Sequence, residues 1–252
     1  MPPLLQRTTF EMSRAAEYFT VRELQAMTGQ TQERFVTVVL KELLDNAIDA
    51  CEDAAALKVY AATGTAPMVH IRWQPDADEA FAELTIADNG VGIPAPTVAS
   101  ILNFATRTSD KVIYRSPTRG AQGNAMKTVL GIPWALGIRA PVVIEAQGVR
   151  HTITVAVDPA GEVHVQHDET AVATSPGTRI TLTLPADPEG PAHWGRAFAL
   201  YNPHVSVHIC REPHVGLACS PADPGCGDLY HSTVAFPGAW RKYLPGDLTS
   251  GW

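Results

Sequence analysis

Positive charge is scarce in this chain. Its 19 Lys and Arg face 26 Asp and Glu, a formal net charge of −7. That balance argues against a broad surface gripping nucleic-acid phosphates and leaves room only for a local basic patch. Cysteine is scarce as well, and Cys51, Cys210, Cys219 and Cys226 include no Cys-x-x-Cys pair. The first falls where a helix is expected and reads as a small buried thiol. The other three, with His208 and His214 nearby, match no zinc-ligand spacing. Long apolar runs are missing: Val129 to Ile138 is interrupted by glycines and Pro133 and is too short to cross a bilayer. The N-terminus has no basic segment followed by an apolar stretch. No membrane contact is therefore expected, and a reducing, cytoplasmic setting is the default. Internal repeats and low-complexity tracts are absent too.

What is present has the composition of a packed domain. With 252 residues, 45% hydrophobic and 18% charged, the chain suits one large domain or one domain with a small appendix. Thr20-Val-Arg-Glu23 is a capping-box pattern that starts a short helix ending at Gly29, and Thr31 caps the next. That next helix, Arg34 to Asp53, is amphipathic. At about 100° per residue, Glu42, Asn46, Asp49 and Asp53 share one narrow arc, while Val36, Val39, Leu40, Leu43, Ala47, Ala50 and Cys51 face a core. A loose connection follows, then strands at Met68 to Trp73 and Glu83 to Asp88. Pro94 and Pro96 open a helix through about Phe104. The polar stretch 103–123, with Arg107, Lys111, Arg115 and Arg119, has no period of its own and suits a functional loop or lid. Gln122 to Leu136 is expected to be a helix that Gly131 and Pro133 bend or end. Strands are expected at Val142 to Ala146, Val149 to Val157, Val163 to His167 and Thr178 to Leu184, then a helix at Ala192 to Leu200 and a strand at Val205 to Cys210. This order predicts an α/β two-layer sandwich: a mixed, mainly antiparallel sheet with helices on one face.

Four segments have residue types that suit a nucleotide. Asp88-Asn-Gly-Val-Gly-Ile93 reads as a tight Asn-Gly turn, or as an acceptor for an exocyclic amine, with Gly90 and Gly92 letting a flat base approach the backbone. It is not a dinucleotide fingerprint, because Ala95 stands where a third glycine would be. Gly120 to Lys127 puts glycines just before a helix, where exposed N–H groups favour phosphate. Met126 before Lys127 excludes a P-loop. Gly177-Thr178 enters a late strand and is ordinary alone. Glu42 and Asn46, one turn apart, are chemically suited to orienting water and to holding magnesium through one amide oxygen.

Glu42-x-x-x-Asn46-x-x-Asp49-Ala50, Asp88-x-Gly90-x-Gly92, Gly120-x-x-Gly123 and Gly177-Thr178, in this order, resemble the motifs of the GHKL ATPase superfamily with its Bergerat ATP-binding fold. Within it the chain looks most similar to the ATPase domain of the topoisomerase VI B subunit, on LKELLDNAIDACEDA and Tyr201-Asn-Pro-His-Val-Ser-Val-His208. The Gly123-Asn124-x-x-Lys127 form is also similar to the MORC branch. The resemblance implies ATP and Mg2+ as ligands, Glu42 as the base that activates water, Asn46 as the magnesium ligand and Asp88 as the adenine reader. It implies further nucleotide contacts from Asp49, Gly90, Gly92, Ile93, Gly120, Gln122, Gly123, Asn124, Lys127 and Thr178, with 103–124 as the ATP lid. Asp49 reads as a hydrogen-bonding residue beside the site. The implied organisation is an N-terminal helical arm at 1–30, the ATP-binding domain at 31–211 and an irregular appendix at 212–252. ATP-dependent homodimerisation and a DNA-processing partner protein are implied too, with direct DNA contact left open. The transducer domain of the topoisomerase, which places a lysine on the terminal phosphate, has no counterpart here, so slow hydrolysis is expected of this chain alone. Two alternatives stand beside this reading. One is a histidine kinase-type catalytic domain acting on a separate phosphoacceptor, since the first histidine is His70, after the opening helix. The other is a non-catalytic ATP-sensing interaction module.

Overall fold

The computed structural model describes residues 14–104, 125–187, 189–211 and 228–230. A 3-10 turn at Arg14–Phe19 precedes α1 (Val21–Thr28). The Thr20 Oγ1 accepts the Glu23 N–H at 3.4 Å, and Gly29 closes the helix in the left-handed region. Thr31 makes no side-chain cap bond. It opens a 3-10 turn, Gln32–Arg34, that leads into α2 (Phe35–Ala56). Lys58, at φ 59°, then redirects the chain into α3 (Val59–Thr63), a five-residue helix in a segment too short to show a helical period. β1 (Met68–Pro75) and β2 (Phe81–Asp88) follow, then α4 (Ala95–Ile101), α5 (Ala125–Ala135), β3 (Val142–Ala146), β4 (Val149–Val157), β5 (Val163–Ala171), β6 (Thr178–Pro185), α6 (Gly190–Tyr201), β7 (Ser206–Arg211) and β8 (Asp228–Tyr230).

The strands form one mixed sheet in the order β5-β4-β3-β6-β2-β1-β7-β8. Among the described residues only the β1–β7 pairing is parallel; the others are antiparallel. This is the α/β architecture expected from the sequence. Because cross-strand partners share a face, the register lines up Ile209, Ile71, Ile86, Ile180 and Ile144 across five strands. A second row carries Trp73, Leu84 and Leu182. α2, α5 and α6 pack against the sheet. α2 contributes Phe35, Val39, Leu40, Leu43, Leu44, Ala47, Ile48 and Cys51, each almost fully buried. Burying each Leu or Ile of such a set stabilises the fold by about 1.5–3 kcal/mol. Among the described residues no helix is long and apolar enough to cross a membrane.

The sequence expectations need three adjustments. α5 runs through both Gly131 and Pro133, and Gly131 lies against the Tyr18 backbone. β5 continues four residues past His167, since the end of this edge strand is exposed on both faces and tolerates Asp168, Glu169 and Thr170 while pairing with β4. Asn89-Gly90 is no hairpin turn, because β2 is followed by α4 and pairs backwards with β1 and onward with β6.

Candidate functional site

Helix α2 crosses the end of the sheet where β2 stops and β6 begins. Gly90 sets that distance: a Cβ there would lie 2.4 Å from the Ala50 carbonyl carbon, so only glycine lets the turn after β2 reach the last turns of α2. On the other side of the turn Gly177, at φ +92°, lies against the Asp88 carbonyl, which a Cβ would approach to 2.0 Å. The turn is therefore clamped between a helix and a strand entry, with no room for a side chain at either contact.

Inside this clamp the polar groups are tied down one by one. The Asp88 Oδ1 accepts the Gly90 N–H at 2.8 Å and the Thr178 N–H at 3.3 Å. The Thr178 Oγ1, almost fully buried, accepts the Ile93 N–H at 3.0 Å. Gln147, in the turn between β3 and β4, donates its amide to the carbonyls of Val91 and Gly92. Asn89 is the hub beneath: its Oδ1 accepts the Met68 N–H and the Tyr60 hydroxyl, and its Nδ2 donates to the Ala66 carbonyl. The buried Cys51 thiol also donates toward Asn89 and the Met68 carbonyl, and burial pushes its pKa up to about 11. The expected buried thiol is what the structure contains.

Burial raises the Asp88 pKa to about 6, against the pull of the Gly90 and Thr178 N–H groups. Both donors meet Oδ1, so Oδ2 makes no hydrogen bond among the described residues. Near neutral pH this corner presents a mostly ionised carboxylate with a free acceptor.

Glu42 and Asn46 lie one helical turn apart, both partly buried, with Asp49 buried further along. The Asn46 amide nitrogen is buried without a hydrogen-bond partner. In a helix whose neighbouring polar groups are satisfied, that orphan marks a place for a polar ligand. A hard cation accepting an amide oxygen fits this donor set, because O and N of the amide exchange by rotation about the terminal bond. Lys41 lies 2.8 Å from Asp45 and 3.6 Å from Glu42. Burial disfavours its charge, but the carboxylates of Asp45 and Glu42 outweigh it and raise its pKa. Asp53 is exposed at the helix end.

Lys127 is almost fully buried on α5. Its Nζ donates to the Asn103 carbonyl and lies 5.9 Å from the centre of the Tyr18 ring. Burial lowers its pKa. Gly120, Gln122, Gly123 and Asn124, with the rest of 105–124, lie outside the described residues. So do Cys219, Cys226 and His214 of the C-terminal Cys/His group. An open groove of about 590 Å³ at the opposite end of β2, bordered by Asp76, Phe81, Glu83 and Ile138, involves none of the motif residues.

Nothing in the sequence marks Tyr60, and Asn89 is marked only as half of an Asn-Gly pair. Asn89 binds across 21 to 38 positions, which leaves no local pattern. Gln147 carried one signal, its place before Gly148 in a tight turn, where it takes φ 49°.

A family model described as "Histidine kinase-, DNA gyrase B-, and HSP90-like ATPase" matches residues 31–188. The match runs from the turn before α2 to just beyond β6 and encloses Glu42, Asn46, Asp49, the Asp88–Ile93 turn, Lys127 and Gly177-Thr178, but not the Tyr201–His208 segment. No curated protein matches the chain at a significant level.

Proposed function

The chain belongs to the family of histidine kinase-, DNA gyrase B- and HSP90-like ATPases. From this premise we propose that it binds ATP with Mg2+ at the corner of α2, β2 and β6, hydrolyses it slowly on its own, and uses the bound nucleotide to close a lid and pair with a second copy. The observation that carries the reading is the Asp88 carboxylate, pinned at Oδ1 by two backbone donors beside the Gly90–Gly92 backbone, with Oδ2 free for an adenine amine.

In this proposal Gly90, Gly92 and Ile93 form the wall that the base approaches, and Thr178 holds that wall through the Ile93 N–H. Asp49 supports the site from α2. Asn46 would hold Mg2+ through its amide oxygen, and the ion when bound would neutralise phosphate charge. Glu42 orients water and takes its proton as the water oxygen bonds to the terminal phosphorus. The bond from that phosphorus to the bridging oxygen breaks, and ADP leaves. Gly120, Gln122, Gly123 and Asn124 are assigned to the phosphates. Lys127 would join them by leaving the Asn103 carbonyl. Slow turnover is supported by the two lysines near the site, since Lys127 is engaged by Asn103 and Lys41 by Asp45. A cytoplasmic module resembling the topoisomerase VI B subunit, acting with a DNA-processing partner, is the finer form of the proposal.

The test is calorimetry and phosphate release on the wild type and Glu42→Ala. The wild type should bind ATP only with Mg2+. Glu42→Ala should keep that binding and lose turnover by about 10²–10⁴-fold. A wild type without Mg2+-dependent ATP binding would sink the proposal. An unchanged rate in Glu42→Ala would remove Glu42 from its role. Sedimentation with a non-hydrolysable ATP analogue should show the dimer.

A further inference from the structure

The isoleucine row of the sheet has a sixth position, on β4, and it is occupied by His151, opposite Ile144 on one side and Glu169 on the other. A fully buried imidazole there replaces the aliphatic side chain that the row otherwise uses, and its Nε2 finds no hydrogen-bond partner. The other ring nitrogen, Nδ1, is the one that faces polar groups, His167 and Glu169 on β5. One row along, His167 on β5 stands opposite Ile153, on the same face. Strand alternation thus brings His151, His167 and Glu169 together on two adjacent strands at the open edge of the sheet.

We propose that His151, His167 and Glu169 form a binding site for a divalent transition-metal ion, zinc foremost, that clamps β4 to β5. The Nδ1 of His151 is 2.9 Å from Nε2 of His167 and 3.4 Å from Oε1 of Glu169, and the last two atoms are 3.6 Å apart. Ligands of a tetrahedral zinc ion with bonds near 2.0–2.1 Å stand about 3.3 Å from one another, and the three separations straddle that value. Two imidazoles and one carboxylate favour zinc or a neighbouring transition metal over magnesium or calcium, which prefer oxygen alone. The burial gradient suits a site open on one side. His151 is fully buried, His167 is 18% exposed and Glu169 49%, so a fourth ligand would enter from the solvent side. The metal would take the place of the His151–His167 hydrogen bond. The site is separate from the Asp88 corner and does not depend on ATP binding.

Calorimetric titration of the EDTA-treated full chain with zinc chloride, without nucleotide, tests the proposal. One zinc per chain is expected at this site. Its affinity should fall by more than about 100-fold in Glu169→Gln and in His167→Ala, since even groups one shell removed from a metal are worth about 10- to 100-fold. His164→Gln, in the exposed group of Asp158, Glu162 and His164, should leave it unchanged. Zinc should also raise the melting temperature of the wild type but not of Glu169→Gln, a half-exposed, isosteric change that keeps the fold testable. Cobalt in place of zinc separates this site from the cysteines: visible d–d bands without a near-ultraviolet thiolate band support it. No binding, binding insensitive to Glu169→Gln, or a thiolate band on the tight site would overturn it.

Discussion

The sheet carries two polar clusters, and they are held by different means. At the Asp88 corner the carboxylate sits at the end of β2, where strand ends and the turn after β2 leave backbone N–H groups to spare: Gly90 and Thr178 to Asp88, Ile93 to Thr178. At the β4–β5 edge His151 stands within β4, paired on both sides, where N–H and C=O groups are committed to the ladder. Among the described residues the side chains of His151, His167 and Glu169 meet one another, while the His151 Nε2 goes without a partner. Loops can satisfy a buried charge from their own backbone, so their specificity rests on glycine positions. Within a strand, pairing uses the backbone groups, so a polar cluster there rests on its side chains, and the proposed zinc would add a bond to each of the three.

The largest effect is expected where the backbone clamp itself is broken. In Gly177→Ala the new Cβ would meet the Asp88 carbonyl at 2.0 Å, in a left-handed backbone, and the obstacle is main chain that cannot rotate aside. A loss of about 3–5 kcal/mol is expected, with ATP binding abolished. Gly148→Ala, beside the start of β4, has nearly the same backbone, φ +83°, but its Cβ would meet nothing closer than the Val172 carbonyl at 3.9 Å. It should lose only about 1 kcal/mol. Urea midpoints at constant slope measure both. Equal losses would mean that the clamp is not what holds the loop corner.

Asp88→Asn sharpens the same contrast through charge. The folded-state pKa of Asp88 is raised from 3.8 to about 6. The protonated acid is thus favoured by folding, and that contribution is fully present below pH 3.8 and is lost as pH rises through about 6. An asparagine can still accept the Gly90 and Thr178 N–H groups and has no charge to bury. It should match the wild type near pH 4 and exceed it by on the order of 3 kcal/mol at pH 7. ATP affinity should move the other way: lost in Asp88→Asn at every pH, since an amide N–H₂ then faces the adenine amine, and declining in the wild type below about pH 6. Thermal unfolding across pH 4–8 and nucleotide titrations over the same range provide the two curves. A variant no more stable than the wild type at pH 7 would show that the carboxylate is not strained by burial.

The parts of this arrangement that could be read from the sequence were those with a period or a fixed spacing. Helix α2 announced its buried face at 3.6-residue intervals, and Glu42, Asn46 and Asp49 fell on its polar arc. Most of the strands announced themselves by alternation. The sheet order did not: β6 inserts between β3 and β2, and β7 returns parallel to β1, choices made by long-range packing rather than by local pattern. Asn89 was legible only as half of an Asn-Gly pair, because its work is done on Tyr60, Met68 and Ala66, far off in the chain. His151 did carry a signal. It is in phase with Ile153, Val155 and Val157 along β4, the side chains that face the core, so parity alone marks it as a buried histidine.

Gln147 joins the two regions, and changing it should have the smallest effect. It sits in the β3–β4 turn at φ 49° and reaches back 3.2 Å to the Val91 carbonyl and 3.1 Å to that of Gly92. Asparagine tolerates the left-handed backbone at least as well as glutamine but is one methylene too short to span that gap. Gln147→Asn should therefore leave the turn and the strand cluster intact, changing stability by less than about 1 kcal/mol, because the relieved backbone offsets part of the lost hydrogen bonds. Its cost should appear in nucleotide binding, where a glycine loop no longer tied from the far side must be ordered by the ligand. Two hydrogen bonds with net worth of about 0.5–1.5 kcal/mol each, partly compensated by water, translate into an ATP affinity weaker by about 3- to 10-fold. Zinc affinity should not change. If instead ATP affinity holds while zinc affinity drops, the turn serves the strand edge and not the loop corner, and the division between the two clusters falls on the other side of Gln147.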